Sequence, residues 1–548
     1  MDNRRLILLM IFSISLVLLW DAWQKHNHPK VATQTTAAQT AMATPQPSAD
    51  LKPAASAAAP AVPSVAATPS AGETITVTTD LFTADISTLG GDLTRLELNR
   101  YTATVDKSKH FQLFEPKHHY AAQTGLIGEG LPNHRTVFSA VKGPRQLGKD
   151  DAKLQLRLEA VAASGVKVAK IYTFSRGSYQ IDVSYEVTNG TQAPLEPHAY
   201  YQFQRDGVAP EGESSMSSTF TGPAVFTNEE KYQKVTFDDI AKEKAKHAKT
   251  ADNGWLAMVQ HYFVAAWVPQ GNDKREFFTR KIEGGNGSPV IAAAGVILPL
   301  AQIAPGQTGK QSVTLYAGPQ EQAALKRLAE GLDLVVDYGW LTVVAAPIFW
   351  VLQWLHALVG NWGWAIILLT ILLKGAFFPL SAASYKSMAK MRVLAPRLQQ
   401  LKEKFGDDRQ RLNTEMMELY KREKVNPLGG CLPIVVQIPV FIALYWVLLG
   451  AIEMRDAPWL GWITDLSSAD PYYVLPLIMG ATMFLQTWLN PAPPDPMQAK
   501  VMYIMPVVFT GMFLFFPSGL VLYWTVNNIV SIAQQWQINR MIEGAKKA

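Results

Sequence analysis

One lysine stands out in this sequence because it lies inside a long apolar run. Lys374 follows the segment 366–373 (IILLTILL) and precedes 375–378 (GAFF). A cation there costs about 3 kcal/mol on membrane-insertion scales, so we expect its side chain to face a wet cavity or a partner. The alternative is a lysine that extends to the lipid headgroups beyond Ser381. The other apolar runs of the membrane half contain no Asp or Glu, which favours an unpaired charge in a groove.

Several polar residues of the apolar runs are candidates to lie beside Lys374. Thr370 precedes it by four residues and therefore shares its helix face. The other candidates are Gln437, Asn527, Asn528 and Ser531. For each of these, an ordinary hydrogen bond between helices is an open alternative. Such residues predict a site that binds by charge and hydrogen bonds.

The composition separates two unlike parts of the 548-residue chain. Most of 340–540 is apolar, whereas about 75–330 is typical of soluble sequence, and only 17% of all residues are charged. The single Cys431 excludes a disulfide framework. We find no Walker A, metal-ligand or nucleophile motif, so we predict no cofactor, no metal site and no enzyme activity. We interpret His118 and His119 as loop surface and not as a ligand pair.

The N-terminus predicts a membrane anchor and a flexible linker. Two arginines precede the apolar run 6–20, and no small-x-small cleavage motif follows it directly. We therefore interpret 1–25 as an uncleaved transmembrane anchor with its N-terminus in the cytoplasm. A cleaved signal peptide is the alternative. Residues 26–72 are rich in Ala, Pro and Thr and nearly uncharged, which predicts a segment with too little apolar surface to fold.

Residues 73–330 predict one large antiparallel β-sandwich. Apolar and polar residues alternate, as at Leu154, Leu156 and Leu158, and turn signals such as Gly90-Gly91 separate the runs. A domain of this size could bind a sugar or a peptide, but no motif selects either one.

Charge placement predicts the membrane topology. The segment 385–427 carries eleven Lys and Arg residues, so the positive-inside rule assigns it to the cytoplasm. Two spans must then precede it, and we interpret 331–360 as an amphipathic helix on the outer surface instead of a further span. The predicted fold is a polytopic α-helical membrane protein with six spans, both termini cytoplasmic and the sandwich outside. After the anchor, the core 361–548 supplies spans at about 362–380, 428–450, 472–489, 502–516 and 520–538.

The run 502–516 is short for a span. Fifteen residues reach only about 22 Å, against a hydrocarbon core of about 30 Å. A helix of that length predicts local thinning of the bilayer, which would lower the cost of drawing a polar segment across.

The basic segment predicts a cytoplasmic helical hairpin at 384–424. Apolar residues recur every three or four positions, and 406–408 (GDD) supplies a stop and an N-cap. The apolar seam carries Met388, Met391 and Met416, and Met417 is a further candidate residue of the hairpin. Such a seam can simply pack the two helices together, or it can adapt to varied apolar partners. The basic faces suit lipid headgroups or ribosomal RNA.

Several short stretches carry a family resemblance. They are 336–340 (VDYGW), 360–363 (GNWG), 387–391 (SMAKM), 420–433 (YKREKVNPLGGCLP), 470–473 (DPYY), 495–498 (DPMQ) and 516–520 (FPSGL). With them the chain strongly resembles the YidC/Oxa/Alb family of membrane protein insertases, in its Gram-negative form with a periplasmic domain. The likeness covers nearly the whole chain, and the motifs are highly specific when taken together.

The resemblance implies an inner-membrane insertase and chaperone with a hydrophilic groove open to the cytoplasm. The resemblance also implies that the protein acts on nascent membrane proteins, either alone or together with the Sec translocon. The ribosome and the signal recognition particle pathway are further implied partners, and DNA is not one. Lys374 occupies the place of the family's usual groove arginine; it keeps the charge but loses the planar fork of donors. Tyr523 and Trp524 match the region of a groove-facing tyrosine, and Trp524 departs from the usual residue.

The sequence is compatible with two rival interpretations. A transporter could use Lys374 as a substrate counter-ion, but it would be expected to show paired intramembrane charges or repeated broken helices. Alternatively, the sandwich could be a sugar-binding or sugar-processing module for which the helical part is only an anchor.

Overall fold

The computed structural model describes residue 45 and residues 72–212, 219–285, 288–406, 408–423, 432–489 and 496–547. The predicted anchor at 1–25 lies outside these residues, as do Cys431 and nearly all of the predicted linker. The described chain forms two compact units that divide between Val336 and Asp337.

The first unit consists mainly of strands. In chain order they are β1 (Thr74–Thr78), β2 (Phe82–Ser87), β3 (Leu93–Thr102), β4 (His110–Phe114), β5 (Ala121–Ile127), β6 (Ser139–Ala140), β7 (Lys153–Val161), β8 (Lys167–Ser175), β9 (Gln180–Thr188), β10 (His198–Asp206), β11 (Gly222–Thr227), β12 (Lys231–Lys234), β13 (Thr250–Ala251), β14 (Trp255–Gln260), β15 (Phe263–Pro269), β16 (Arg275–Gly285), β17 (Ser288–Pro299) and β18 (Thr308–Pro319). Two short helices, α1 (Phe237–Ala241) and α2 (Gln322–Leu328), complete the unit.

The described strands form two antiparallel nine-stranded sheets. One has the order β1-β2-β3-β5-β10-β17-β16-β13, with β4 paired to β3, and the other has the order β12-β11-β14-β15-β18-β9-β8-β7-β6. The rings of Tyr201 and Phe203 on β10 lie 5.3 and 5.5 Å from the Trp267 ring on β15, so the sheets pack face to face. The predicted antiparallel β-sandwich is confirmed.

The alternating pattern of the sequence positions the core of the sandwich. On β9 the side chains of Ile181, Val183, Tyr185 and Val187 are fully buried, while the residues between them are partly exposed. Successive side chains of a strand point to opposite faces, so this period of two puts one face of β9 in the core. β9 pairs with β8 so that Lys170 lies opposite Tyr185.

The interpretation of His118 as loop surface is wrong. His118 is only 4% exposed, and its Nδ1 lies 3.1 Å from Asp206 Oδ1. A short turn at Pro116–His118 folds the ring inward, while His119, in the left-handed region at φ 50°, stays exposed. Within the described ranges, no group of three His, Cys, Asp or Glu residues is arranged to hold a metal ion.

The second unit is helical. Its helices are α3 (Thr342–Val359), α4 (Trp362–Ala376), α5 (Phe378–Phe405), α6 (Arg409–Arg422), α7 (Leu432–Gly450), α8 (Val474–Leu489), α9 (Pro496–Phe513) and α10 (Ser518–Lys547). Asn361 Oδ1 accepts from the Trp364 amide at 3.1 Å and caps α4. Asp408 Oδ1 accepts from the Arg411 amide at 3.0 Å, which confirms the predicted N-cap of the hairpin's second helix.

Two of the predicted runs differ in extent from the helices observed. The run 362–380 is not one straight helix, because α4 ends at Ala376 and the chain bends by 60° before α5. At the predicted run 502–516, α9 begins earlier, at Pro496, and ends at Phe513; it has 18 residues, or about 27 Å, and its apolar part is Ala499–Phe513. The short span, and the bilayer thinning that it implies, stay predictions.

Helix length and composition identify few clear spans among the described residues. α3 alone is long and apolar enough, and Trp362–Ala376 with Phe378–Ser387 becomes a second if the bent pair is one span. Shorter apolar helices run over Val436–Gly450, Val474–Leu489 and Ala499–Phe513. The count of six spans stays a prediction.

α3 is the helix that we predict to lie on the membrane surface. It buries Ala345, Phe349 and Leu352. Its opposite side is also apolar, with Trp350 and Trp354 more than half exposed. An interfacial helix normally carries a charged or polar outer face, so its placement on the surface stays a prediction.

Candidate functional site

Lys374 lies in the last turn of α4, in the interior of the helical unit. Its side chain is 8% exposed, and Thr370, one turn earlier on the same face, is fully buried. The Thr370 hydroxyl donates to the Ile366 carbonyl at 2.7 Å. Because that proton is used locally, Thr370 presents only its oxygen lone pairs and its methyl group to the surroundings.

Two neutral oxygens accept hydrogen bonds from the Lys374 ammonium. Nζ donates to Ser531 Oγ on α10 at 2.7 Å and lies 3.5 Å from Gln437 Oε1 on α7. The Ser531 hydroxyl itself donates to the Asn527 carbonyl at 2.7 Å. Its proton is therefore directed away from the lysine, and its lone pairs are free to accept from the ammonium.

The amide of Gln437 is oriented by a second contact. Its Nε2 donates to Asn527 Oδ1 at 2.7 Å, which leaves Oε1 directed toward Lys374. A cavity forms where these groups meet, and it is lined by Thr370, Leu373, Lys374, Phe377, Leu380, Ser381, Gln437, Val440, Tyr523 and Asn527. The structure thus brings five of the six residues predicted for the groove to one place.

The charge of Lys374 is not neutralised within the part of the chain that the structure describes. No described Asp or Glu forms an ion pair with it, and its hydrogen-bond acceptors are a hydroxyl and an amide. A buried cation held only by dipoles keeps its attraction for an anion, and that attraction is stronger in a low dielectric than in water. The site can therefore bind a carboxylate without first breaking an ion pair.

Trp524, the sixth predicted groove residue, lies elsewhere. Its ring contacts Phe441 of α7, with centroids 4.5 Å apart, and Phe509 and Phe513 of α9, at 6.1 and 5.4 Å. It does not line the cavity around Lys374. It lies one position after Tyr523, so on a helix it faces a side about 100° away.

Two further polar residues have positions that single-residue inspection of the sequence does not reveal. Gln534 Nε2 donates to the Lys374 carbonyl at 3.1 Å, and Tyr385 Oη lies 3.5 Å from the Ser531 carbonyl. The prediction that Asn528 lies beside Lys374 is wrong, since its Nδ2 donates to Thr482 Oγ1 on α8. The missed signal is a spacing on α10: residues 523, 527, 531 and 534 follow one another by four, four and three positions and share one helix face.

The predicted hairpin methionines divide into different environments. Met416 packs against a cluster formed by Leu394, Leu398, Leu419 and Tyr420, which joins α5 to α6. Met417 is 51% exposed. The side chains of Met388 and Met391 lie outside the part of the chain that the structure describes. The described part of the seam therefore packs the two helices together, and Met417 lies on the surface of the hairpin.

Comparison with known proteins gives matches along the whole chain. Residues 74–351 match a family model described as the YidC periplasmic domain, and residues 354–546 match one described as 60Kd inner membrane protein. A "Membrane protein insertase YidC" from Dechloromonas aromatica is 64% identical over 100% of this chain and 99% of its own length. Another of that name from Aromatoleum aromaticum is 59% identical with the same coverage.

Among solved structures, the chain resembles one titled "Active YidC insertase crystal structure with the first transmembrane domain resolved". The two are 18% identical, with a TM-score of 0.39, over 86% of this chain and 92% of the other.

Proposed function

The chain belongs to the YidC family of membrane protein insertases, and from that premise we propose that Lys374 is where it first holds a substrate. It is a bacterial inner-membrane protein with a periplasmic domain, and its substrates are nascent membrane proteins. The observation that supports the proposal is a buried lysine whose described partners are neutral oxygens.

In the proposed mechanism, Lys374 attracts an acidic residue in the short segment that must cross the membrane. The ammonium exchanges its weak contact with Gln437, at 3.5 Å, for a charge-assisted hydrogen bond to the carboxylate. Thr370, Tyr523 and Asn527 line the same cavity and supply polar surface to the incoming segment. The proposal contains no covalent step, no cofactor and no ATP hydrolysis; burial of the substrate's apolar helix supplies the free energy.

We further propose that the substrate helix reaches lipid along α7 and α9. Val436 and Ile438 on α7 are exposed, as are Ile504 and Val507 on α9. Exposed apolar side chains on both helices give a hydrophobic segment apolar surface to contact on its way into lipid. The aromatic contacts of Trp524 with both helices lie beside this path.

The proposed topology has six spans and both termini in the cytoplasm. The eleven basic residues in 385–427 support a cytoplasmic hairpin by the positive-inside rule. That hairpin is the proposed contact for lipid headgroups and for the ribosome and the signal recognition particle pathway, and the Sec translocon is a proposed partner of the membrane core.

Insertion of a small phage-coat-like protein with acidic residues in its translocated segment tests the role of Lys374. Cells depleted of their own insertase would carry the native chain, Lys374→Arg or Lys374→Ala, and protease accessibility would report insertion. We expect Arg to support insertion and Ala to slow it about tenfold or more, because a hydrogen bond to a charged group is lost.

Lys500→Ala is the matched control, since it removes an exposed lysine of α9 in the same unit. Insertion at native rates by Lys374→Ala would contradict the proposal and assign insertion to the apolar surfaces alone.

A further inference from the structure

The junction between α4 and α5 is a bend whose cause lies in the sequence. Pro379 has no amide proton, so the Gly375 carbonyl lacks the donor that a continuing helix would supply. α4 ends at Ala376, the chain bends by 60°, and α5 begins at Phe378. The last carbonyls of α4, that of Lys374 among them, therefore need donors from outside the helix.

α10 provides a donor for the carbonyl of Lys374. Gln534 Nε2 donates to the Lys374 carbonyl at 3.1 Å, and Ser531, one turn earlier on the same face, accepts from Lys374 Nζ at 2.7 Å. Two residues on one face of α10 thus bind Lys374, one at its backbone carbonyl and the other at its ammonium group. Tyr385 of α5 reaches the Ser531 carbonyl at 3.5 Å, so both sides of the bend contact this face.

The neighbouring glutamine makes an equivalent contact on another helix. Gln535 Nε2 donates to the Leu489 carbonyl, the last residue of α8, at 3.4 Å. Two adjacent glutamines of α10 therefore bind the ends of two different helices. The contacts are of the same chemical type, but only that of Gln534 reaches the residue that carries the charge.

We propose that Gln534 is a positioning residue that fixes the bend between α4 and α5 and thereby directs the Lys374 ammonium toward an acidic substrate segment. This inference rests on the proposed function of Lys374. Without the Gln534 amide, the Lys374 carbonyl loses the donor that α10 supplies, and the Lys374 backbone can rotate away from Ser531. The charge remains in the membrane, but it no longer lies at the cavity that Thr370, Gln437 and Asn527 line.

The test compares two substrates that differ only in charge, one with acidic residues in the translocated segment and one with those residues changed to amides. Gln534→Leu should slow insertion of the acidic substrate about three- to tenfold, the effect of one lost hydrogen bond, and should change insertion of the neutral substrate less than about twofold. Gln535→Leu is the matched control and should slow both substrates equally or neither. The double variant Gln534→Leu/Lys374→Ala should be no slower than Lys374→Ala.

A rescue variant and a distance measurement distinguish a positioning role of Gln534 from a loss of folding. Gln534→His at pH 8 keeps a neutral ring with an Nε2 donor the same number of bonds from the backbone, so it should restore insertion of the acidic substrate. Spin labels at the exposed Met417 and Met541, with Cys431 changed to Ser, report the hairpin's distance from α10. Their distance distribution should broaden in Gln534→Leu and not in Gln535→Leu.

The outcomes distinguish this inference from the proposed function. If Lys374→Ala inserts both substrates normally, the proposed function fails. If Lys374→Ala is slow but Gln534→Leu behaves like Gln535→Leu with both substrates, or slows both substrates alike, the positioning role is wrong while the proposed function stands. An unchanged spin-label distribution in Gln534→Leu also overturns the positioning role.

Discussion

Each of the two units buries a lysine, and the two lysines have opposite surroundings. Lys170 of the sandwich lies 3.9 Å from Asp92 Oδ1, donates to the Gly90 carbonyl at 3.0 Å, and lies over the rings of Tyr172 and Tyr185. Lys374 of the helical unit meets a hydroxyl and an amide oxygen. Among the described residues, the first has a carboxylate partner and the second has none.

The difference shows that burial of a charge does not by itself identify a functional site. A buried cation beside a carboxylate is part of the fold, because removal of either partner leaves the other in a low dielectric. A buried cation held by neutral dipoles keeps its net charge, and an anion from outside can therefore stabilise it further. Lys170 therefore stabilises the sandwich, whereas Lys374 can bind an anionic ligand.

The largest expected effect comes from replacing each lysine by methionine. Lys170→Met should lower the free energy of unfolding of the sandwich by about 3 kcal/mol, because Asp92 stays buried without its cation. Lys374→Met should leave the helical unit as stable as before, or make it more stable, while slowing insertion of acidic substrates. Amide hydrogen exchange of β8 and of α4 in the purified full chain measures the two stabilities separately.

The double variant Lys170→Met/Asp92→Asn controls for the pair and should recover most of the loss, since it removes both charges. Unchanged exchange of β8 in Lys170→Met would show that Lys170 does not stabilise the sandwich. Unfolding of the helical unit in Lys374→Met would show that Lys374 is a structural residue.

An intermediate effect is expected from acid, through a histidine near Lys170. Burial lowers the pKa of His134 to about 4, and the charges of Arg135, Arg280 and Lys170 act in the same direction. In the unfolded chain this imidazole takes up its proton near pH 6.5. Between about pH 6.5 and 4 the unfolded state therefore binds more protons, and the free energy of unfolding falls as the pH falls, by at most about 1.4 kcal/mol per pH unit.

Hydrogen exchange of β8 from pH 4 to 7, in the native chain and in His134→Gln, measures this slope. The difference between the two proteins isolates His134, because burial raises the pKa of Asp92 and gives the opposite slope in both. Equal slopes would show that His134 takes up its proton in the folded sandwich as it does in the unfolded chain. That result would contradict the lowered pKa of this imidazole.

The smallest effect is expected at the neighbours of Lys374. Ser531→Ala removes the closest acceptor of the ammonium and should weaken capture of an acidic substrate about two- to tenfold, the range for one hydrogen bond. Asn528→Ala is the matched control, because Asn528 binds Thr482 on α8 instead. Photocrosslinking of a stalled nascent chain to the groove measures capture. Equal losses in both variants would mean that Ser531 acts on helix packing and not on the lysine.

The sequence predicted much of the groove because a charge in an apolar run is costly wherever the helix lies. Lys374 and Thr370 are linked by helical spacing alone, and Gln437 and Asn527 are polar residues in otherwise apolar runs. The positions of Gln534 and Trp524 were not predictable in the same way. The role of Gln534 depends on a carbonyl that only the bend at Pro379 releases, and the direction of Trp524 depends on the rotation of α10 about its axis.

In the sandwich, the alternation of apolar residues determined the class of fold, because a period of two commits one face of each strand to the core. It could not place His118, whose burial depends on a turn between β4 and β5 that brings it to Asp206 on β10, far away in the chain.

By itself, then, the sequence determined local facts: which runs are apolar, which residues share a helix or strand face, and that one lysine must be accommodated among apolar neighbours. Only the tertiary structure decided which oxygens accept hydrogen bonds from that lysine and which helix-end carbonyls accept hydrogen bonds from α10. Hydrogen bonds depend on distances of a few tenths of an ångström between residues far apart in the chain, and spacing along one helix does not encode them.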